Sequence, residues 1–305
     1  MIIGIDVGGT TTKLGLVSDG RVVARRKMST TGHIDEHAFT DALADEVRSL
    51  HGKPKAIGIG APNGNQLTGS IERAPNMPWK HDVPLAQMIQ ECLKVPCSLG
   101  NDANAAALGE WKYGAGRGCN DLLVVTLGTG LGSGFIANGS LLLGPRGNAG
   151  ELGHATLVID GRMCTCGRRG CLEAYASIRG MIATLMELSS GDQQAQVEAP
   201  NDVMTIADRA NAGDPLAVEC YQRTAQWLAT GLANAVTITA PERIILCGGI
   251  ARSGELLMAP LREAFDAALL TVHEDHVALL LGELPEDDAG ILGAAAFAQS
   301  PEITT

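Results

Sequence analysis

Residues 2–26, IIGIDVGGTTTKLGLVSDGRVVARR, decide the fold of this chain. The apolar, β-branched residues 2–6 predict a strand, and residues 13–17 predict a second strand after a glycine-rich turn. Asp19-Gly20 is a strong signal for a two-residue hairpin turn, after which residues 21–26 return as a third strand. The chain therefore opens as strand, glycine-rich turn, strand, hairpin turn and strand.

The opening pattern returns in residues 122–143, LLVVTLGTGLGSGFIANGSLLL. Aligning Asp19-Gly20 with Asn138-Gly139, from position 19 to position 138, is a shift of 119 residues. The same shift places Gly9-Thr10 on Gly128-Thr129 and Gly15 on Gly134. Chance coincidence is the alternative in a chain with 38 glycines. We interpret the pattern as an internal repeat, which predicts two related α/β domains that each carry a backbone-rich turn.

Strands and helices alternate through the rest of the chain. Periodicity and end signals predict further strands at residues 56–60, 98–102, 243–247 and 277–282. They predict helices at residues 35–50, 84–93, 103–113, 176–188, 203–211, 215–239, 255–269 and 288–299. This alternation predicts the α/β class, with mixed sheets and helices on their faces.

Length, charge and cysteine content exclude several classes of protein. A chain of 305 residues is more often two domains than one. The net charge of −11 argues against partners held by general electrostatics, such as nucleic acid or an anionic membrane. No signal peptide is visible, and no apolar run approaches the about 20 residues of a membrane-spanning helix. Cysteines outside residues 151–173 sit in apolar contexts typical of reduced core residues, so we expect a cytoplasmic protein.

Residues 151–173, ELGHATLVIDGRMCTCGRRGCLE, contain the signature of a metal site. Four candidate zinc ligands fall within this short segment: His154, Cys164, Cys166 and Cys171. Gly167 and Gly170 give the backbone the freedom to curl around an ion. The alternative is a reduced cysteine-rich loop without metal. Glu151 and Glu173 lie at the two edges, either as solvated acids or as carboxylates that bind hydroxyl groups.

Two glycine-rich turns are candidate phosphate sites, because glycines let backbone N–H groups point at phosphate oxygens. The first contains Asp6, Gly8, Gly9, Thr10 and Thr12, and a tight hairpin without ligand is its alternative. The second contains Gly128, Thr129, Gly130, Gly132 and Gly134. Gly248-Gly249 follows an apolar strand and is either a plain turn or a flat surface for an adenine ring.

Asp102 lies where a predicted strand gives way to a helix. A helix cap is the simpler reading of an aspartate at this position. The alternative is a general base that accepts a hydroxyl proton while the oxygen attacks phosphorus.

Together these motifs resemble the ROK family of sugar kinases, within the actin-like and hexokinase-like ATPases. The matching pieces are DVGGT at Asp6, NDANAAALGE from Asn101, LGTGLGSG from Leu127, ELGH from Glu151, CTCGRRGCLE from Cys164 and CGGI from Cys247. They span nearly the whole chain in the family's order. Within this resemblance, the combination of ELGH with the three-cysteine motif is the most specific part.

The resemblance implies two RNase H-like α/β domains around a central cleft. We expect an N-terminal domain of residues 1–115 plus 288–305, and a C-terminal domain of residues 116–287 with a zinc-binding loop at 154–171. It also implies a structural Zn²⁺, Mg²⁺ with ATP, and commonly a homodimer. The implied nucleotide-binding residues are Asp6, Gly8, Gly9, Thr10, Thr12, Lys13, Gly128, Thr129, Gly130, Gly132, Gly248 and Gly249. The implied sugar-binding residues are Gly64, Asn101, Asp102, Glu151, His154 and Glu173, with Asp102 also the catalytic base.

One departure from the family pattern concerns the turn near Gly60. Many members carry G-x-P-G there, whereas this chain reads GAPNG, with Asn63 after the proline. Gly64 is the residue expected to approach the sugar instead, and Asn76 is either a further sugar contact or part of a loop turn.

The expected activity is an ATP-dependent hexose kinase, first of all a glucokinase. Fructose, mannose and N-acetylmannosamine are the alternative acceptors. A sugar-sensing regulator of the same family is a further alternative, but such proteins carry a helix-turn-helix ahead of the first strand, and here that strand is predicted from residue 2. A metal-stabilised sugar-binding protein without catalysis is a third class, disfavoured by the carboxylate of Asp102.

Overall fold

A computed structural model of the chain describes residues 1–74, 77–190 and 203–299. The strands are β1 (Ile2–Val7), β2 (Thr11–Ser18), β3 (Arg21–Ser29), β4 (Ile57–Ala61), β5 (Gly64–Asn65), β6 (Ser70–Ile71), β7 (Cys97–Asn101), β8 (Leu122–Leu127), β9 (Leu131–Ala137), β10 (Ser140–Leu141), β11 (Arg243–Cys247) and β12 (Ala278–Leu281). The α-helices are α1 (Glu36–Ser49), α2 (Leu85–Leu93), α3 (Asp102–Tyr113), α4 (Glu173–Ala176), α5 (Ile178–Ser190), α6 (Val203–Asn211), α7 (Pro215–Thr239), α8 (Glu255–Ala268) and α9 (Glu286–Phe297).

In the described residues the larger strands form two five-stranded sheets of identical topology. The strand orders are β3-β2-β1-β4-β7 and β10-β9-β8-β11-β12. The first sheet has two antiparallel pairings, β3–β2 and β2–β1, followed by two parallel ones. The second sheet likewise has an antiparallel hairpin, β9–β10, at one end and two parallel pairings at the other. Both hairpin turns adopt the same left-handed backbone, with φ of 50° and 74° at Asp19-Gly20 and 51° and 69° at Asn138-Gly139. The predicted α/β class and the predicted internal repeat are therefore confirmed.

The described chain divides into two compact units. Unit 1 comprises residues 1–119, 134–150 and 282 onwards, and unit 2 comprises residues 120–133 and 151–281. The C-terminal helix α9 belongs to unit 1. The domain boundaries expected from the family resemblance stay a prediction.

A row of glycines lets α9 lie directly on the sheet of unit 1. Gly15, Gly4 and Gly58 are aligned in register across β2, β1 and β4. A Cβ atom on Gly4 would overlap the carbonyl of Ile291, and one on Gly58 would overlap the carbonyl of Ala294. Because neither position has a side chain, the helix backbone rests on the strands, and small residues along α9 fill the remaining space.

The last turn of α3 is joined to the segment before α9 by a buried carboxylate. Glu110 is 2% exposed. Its side chain accepts the backbone N–H groups of Ala115 at 2.9 Å, Glu283 at 3.2 Å and Leu284 at 3.2 Å. Charge-assisted bonds of this kind satisfy the carboxylate inside the protein.

Most predicted elements match the structure within two residues, and two predictions are wrong in detail. The single helix predicted at 176–188 is interrupted at Ser177, whose hydroxyl accepts the N–H of Gly180 at 3.2 Å and caps α5. Asp102 does not end a strand, because β7 ends at Asn101 and Asp102 is the first residue of α3. No helix in the described part of the chain has the length and apolar character to cross a membrane.

Candidate functional site

Two carboxylates, Asp6 and Asp102, lie at one edge of the sheet of unit 1. Asp6 is in register with Gly60 of the neighbouring parallel strand β4. Gly60 is in register with Gly100 of β7, two residues before Asp102. Carboxyl ends of parallel strands meet at the same edge of a sheet, which is where α/β proteins place their ligands. The fold therefore brings together two acids that are 96 positions apart, from 6 to 102, in the sequence.

Asp102 is not the cap of α3, which was the simpler reading of its place in the sequence. The cap is Asn101, whose side-chain oxygen accepts the N–H groups of Ala103 at 2.8 Å and Asn104 at 3.3 Å. Asp102 Oδ1 accepts the N–H of Ala103 at 2.9 Å. The Asp102 residue is exposed, so water reaches it, yet desolvation by the surrounding protein raises the pKa of its carboxyl above the ordinary value.

Asp6 is half-buried and its charge is costly in the folded protein. Burial is the main cause that raises the pKa of its carboxyl from 3.8 to about 6, and the nearby Asp102 carboxylate adds to the rise. Lys13, opposite Asp6 in the antiparallel register, acts in the other direction. The side chain packs against α9 at Gly290, where a Cβ atom would overlap a carboxylate oxygen. The two acids thus interact electrostatically at one edge of the sheet.

The first glycine-rich turn is shorter than the sequence predicts. The N–H of Gly8 donates to the carbonyl of Thr11 at 3.0 Å and closes the turn. Thr10 is exposed. Thr12 is fully buried, and its hydroxyl shares a 2.8 Å hydrogen bond with the hydroxyl of Thr30. Thr12 therefore packs inside unit 1 and does not extend the candidate phosphate site.

The second glycine-rich turn, in unit 2, leaves backbone donors available. The N–H of Gly128 donates to the carbonyl of Gly130 at 3.0 Å. Among the hydrogen bonds of the described residues, none uses the N–H of Thr129 or Gly130. Such a pair of free N–H groups is the donor set that phosphate oxygens bind.

The two glycines after β11 have different structural roles. Gly248 has φ of +93°, and a Cβ atom there would lie 2.5 Å from the carbonyl oxygen of Leu127. At Gly249 the nearest atom to an added Cβ is Nη2 of Arg252, at 3.6 Å. Gly248 is therefore required by the backbone itself, whereas Gly249 leaves open space, as a flat ligand surface would.

His154, Cys164, Cys166 and Cys171 form one cluster in unit 2, with their ligand atoms all within 4.8 Å of one another. The Sγ atoms of Cys166 and Cys171 are 3.7 Å apart, and Sγ of Cys164 is 3.7 Å from Nδ1 of His154. A tetrahedral zinc with Zn–S bonds of about 2.3 Å requires S···S distances of about 3.8 Å. The donor set and its spacing fit a structural zinc ion with four protein ligands.

Two glycines determine the backbone conformation of the zinc-binding loop, residues 154–171, which is called the metal loop below. Gly167 has φ of +86° and donates its N–H to the carbonyl of Cys164 at 3.0 Å, which closes the turn between the first two cysteines. Gly170 has φ of +75°, and a Cβ atom there would overlap the carbonyl of Val158. Both positions demand glycine, as the sequence predicts.

The predicted sugar contacts in unit 2 differ in their surroundings. His154 turns Nδ1 toward Cys164, so Nε2 is the ring atom left for another partner. Glu151 is exposed and precedes a short 3-10 helix, Leu152–His154. Glu173 is half-buried, and both of its carboxylate oxygens accept hydrogen bonds from the protein. Glu173 therefore has a structural role that its position in the sequence does not reveal.

The structure gives Gly64 a different reason to be glycine from the one predicted. Gly64 is buried, and a Cβ atom there would overlap the carbonyl of Gly100 in β7. Asn63 has φ of 50°, and its side-chain amide donates to the carbonyl of Glu72 at 3.1 Å. Asn76 lies outside the described residues.

Arg179 is a residue beside the second turn that sequence reasoning missed. Its Nε donates to the carbonyl of Thr129 at 3.1 Å. Nothing in the pattern around residue 179 points to this contact, because it depends on where α5 begins.

Comparison with known proteins shows the family to which the chain belongs. Residues 2–300 match the ROK family. The chain is 35% identical to the glucokinase of Halalkalibacterium halodurans, over 98% of this chain and 95% of that protein. It is 32% identical to the N-acetylmannosamine kinase of Shigella flexneri, over 99% of both. The crystal structure of a ROK family glucokinase from Streptomyces griseus in complex with glucose and AMPPNP has a TM-score of 0.82 and 33% identity, covering 98% of this chain and 99% of that one. The chain therefore belongs to the ROK family, and these full-length relatives are sugar kinases.

Proposed function

We propose that this chain is an ATP-dependent glucokinase, which transfers the γ-phosphate of ATP to the 6-hydroxyl of glucose. The observation that carries the proposal is Asp102: an exposed carboxylate at the first position of a helix, beside a second acid on the same sheet edge. Desolvation by the surrounding protein raises the pKa of its carboxyl, which makes Asp102 a stronger base than an ordinary aspartate.

Asp102 is proposed as the general base. One carboxylate oxygen is oriented by the N–H of Ala103 at 2.9 Å, and the other takes the proton of the sugar hydroxyl as that oxygen attacks phosphorus. Asn101 is proposed as a sugar contact next to it, through the amide nitrogen that its capping role leaves unused. The helix dipole of α3 favours the ionised form of the base.

Two candidate sites for the donor phosphates are proposed, each within its own unit: the backbone N–H groups of Thr129 and Gly130 in unit 2, and the turn at Asp6, Gly8, Gly9 and Thr10 in unit 1. Phosphoryl transfer depends mainly on positioning and on stabilising charge, which preorganised N–H groups supply. Asp6 and Lys13 are proposed to face the Mg²⁺-bound donor, and the magnesium ion neutralises phosphate charge when it is bound. Gly249 is proposed to leave room for the adenine ring.

The zinc ion is proposed to be structural. Four protein ligands leave no open position for water, so the metal orders the loop and takes no part in the chemistry. Glu151, His154 through Nε2, and Glu173 are proposed sugar contacts on this ordered segment. A metal ligand whose second ring nitrogen contacts a partner is a common arrangement for histidine.

Glucose is the proposed acceptor because the glucokinases resemble this chain at 33–35% identity. N-acetylmannosamine is the second candidate, favoured by the 32% identity to a kinase of that sugar. Fructose and mannose, or a regulatory role without catalysis, are weaker alternatives. A homodimer in the cytoplasm is the proposed state of the protein, which light scattering and fractionation would test.

ADP production should be measured with glucose, mannose, fructose, N-acetylmannosamine and no sugar. We expect glucose to give the highest kcat/KM, and Asp102→Asn to lower kcat at least about 100-fold, as general-base loss does. Asp19→Asn, which changes an exposed acid in the same unit, is the matched control and should keep wild-type rates. Absence of ADP with every sugar would overturn the proposal, and so would a near-normal rate in folded Asp102→Asn.

A further inference from the structure

The carboxylate of Glu173 connects two segments of unit 2. Its Oε1 accepts the hydroxyl of Thr165 at 3.0 Å, from the residue between the first two cysteines of the metal cluster. Its Oε2 accepts the backbone N–H of Leu131 at 3.0 Å, at the end of the second glycine-rich turn. A single side chain therefore joins the metal loop to the turn proposed to bind phosphate.

The turn is built to receive this carboxylate. A Cβ atom on Gly130 would lie 2.6 Å from Oε2 of Glu173, so only glycine leaves the space that the carboxylate occupies. Glu173 thus lies directly against the turn whose Thr129 and Gly130 N–H groups take part in no hydrogen bond of the described residues.

The residues after the last cysteine hold the turn at two further points. The N–H of Ile178 donates to the carbonyl of Gly128 at 2.9 Å, and Nε of Arg179 donates to the carbonyl of Thr129 at 3.1 Å. Together with the hydrogen bond between Glu173 and Leu131, these bonds hold the Gly128–Leu131 turn in place. All three come from one short segment, residues 173–179. That segment begins two residues after Cys171.

We propose that Thr165 is a positioning residue for nucleotide binding, which acts through Glu173 on the Thr129–Gly130 turn. The two neighbours of Thr165, Cys164 and Cys166, are both candidate metal ligands, so a bound metal would fix the position of its hydroxyl. The hydroxyl then holds Glu173 against Leu131 and keeps the turn in one conformation. Because it concerns nucleotide binding, this inference rests on the proposed function. It adds that an ordered zinc-binding loop raises the affinity of the Thr129–Gly130 turn for nucleotide.

Three variants separate this role from general stability. Thr165→Val removes the hydroxyl at nearly constant volume, and Thr165→Ser restores it. Thr156→Val is the matched control, because it makes the same change in the same loop where the hydroxyl contacts Arg168 instead. The dissociation constant of AMPPNP with Mg²⁺ should be measured by titration calorimetry without sugar, together with zinc content and melting temperature.

We expect Thr165→Val to bind AMPPNP about 2- to 10-fold more weakly, the range for one orienting hydrogen bond, with wild-type zinc content and melting temperature. Thr165→Ser should recover the affinity, and Thr156→Val should leave it unchanged. Unchanged affinity in Thr165→Val, or an equal loss in Thr156→Val, would overturn the inference.

Hydrogen exchange provides a readout that does not depend on nucleotide. In Thr165→Val, and in wild type after zinc chelation, the Leu131 amide should exchange faster than in wild type with zinc. If wild type binds no AMPPNP and phosphorylates no sugar, the proposed function fails, and the exchange result alone decides whether Thr165 holds the turn. Unaltered exchange at Leu131 in both cases would contradict the link.

Discussion

Replacing Asp6 by Asn should stabilise the folded protein at neutral pH while damaging its activity. The pKa of Asp6 is raised from 3.8 to about 6, mainly because the group is buried and also because Asp102 is nearby. That difference corresponds to a cost of about 2 to 3 kcal/mol for ionising Asp6 in the folded state. Asparagine keeps the shape of the side chain and removes the charge.

The gain must depend on pH in a defined direction. Well below pH 3.8 the carboxyl is protonated in both the folded and the unfolded chain, so its burial costs nothing extra. As pH rises from about 4 through about 6, the unfolded chain ionises first and wild type loses stability relative to Asp6→Asn. Above about pH 7 the difference should be constant and at its largest.

Urea unfolding of the ligand-free protein at pH 4.5, 6.0 and 7.5 measures this difference, with Asp19→Asn as the control for a surface acid. We expect Asp6→Asn to gain about 2 kcal/mol at pH 7.5 and much less at pH 4.5, with little pH dependence of the gain in Asp19→Asn. Equal or lower stability of Asp6→Asn at pH 7.5, or a gain that does not shrink on acidification, would refute the reasoning.

Four further outcomes are expected. The acid limb of kcat/KM should have its midpoint above pH 3.8, because Asp102 must be ionised and its pKa is raised, and a pH–rate profile measures it. Glu110→Ala should lower the free energy of unfolding by about 3 to 5 kcal/mol, read from the urea midpoint, because three N–H bonds to a buried carboxylate are lost, whereas Glu110→Gln should lose less. Gly248→Ala should have a lower melting temperature than Gly249→Ala, because an added Cβ at Gly248 would overlap the backbone. Gly249→Ala should bind AMPPNP more weakly than wild type. Cys166→Ala should lose zinc and raise the KM for sugar together with a lower melting temperature; zinc loss with an unchanged KM would disprove that coupling.

The sequence predicts the elements whose signals are local. Asp19-Gly20 and Asn138-Gly139 have the residue types that a left-handed two-residue turn requires, so both hairpins and the repeat could be read directly. Helix α7 has Asp214 as its cap and Pro215 at its first position, and its predicted bounds match the structure. The metal cluster was predictable for the same reason, because its ligands lie within 18 consecutive residues, 154 to 171.

Tertiary contacts decide the features that the sequence does not reveal. Whether Thr12 faces a ligand or the core depends on Thr30, the residue that follows β3, and the sequence pattern of β2 alone does not reveal this contact. The break at Ser177 is different, because it depends on a local contact: the Ser177 hydroxyl accepts the N–H of Gly180 and caps α5. The hydrogen bond between the Leu131 N–H and the Glu173 carboxylate joins residues that are 42 positions apart in the chain.

The glycine row beneath α9 has a consequence for how the protein is made. Gly4 and Gly58 are translated early, yet the helix that covers them begins at Glu286, near the C-terminus. At about 5–20 residues per second, α9 follows β1 out of the ribosome by roughly 15 to 60 s. During that interval the first sheet has been synthesised, but α9 is not yet available to cover its row of glycines. A nascent chain stopped before Glu286 should therefore remain protease-sensitive in its earliest strands, and the first-made unit is the last to be completed.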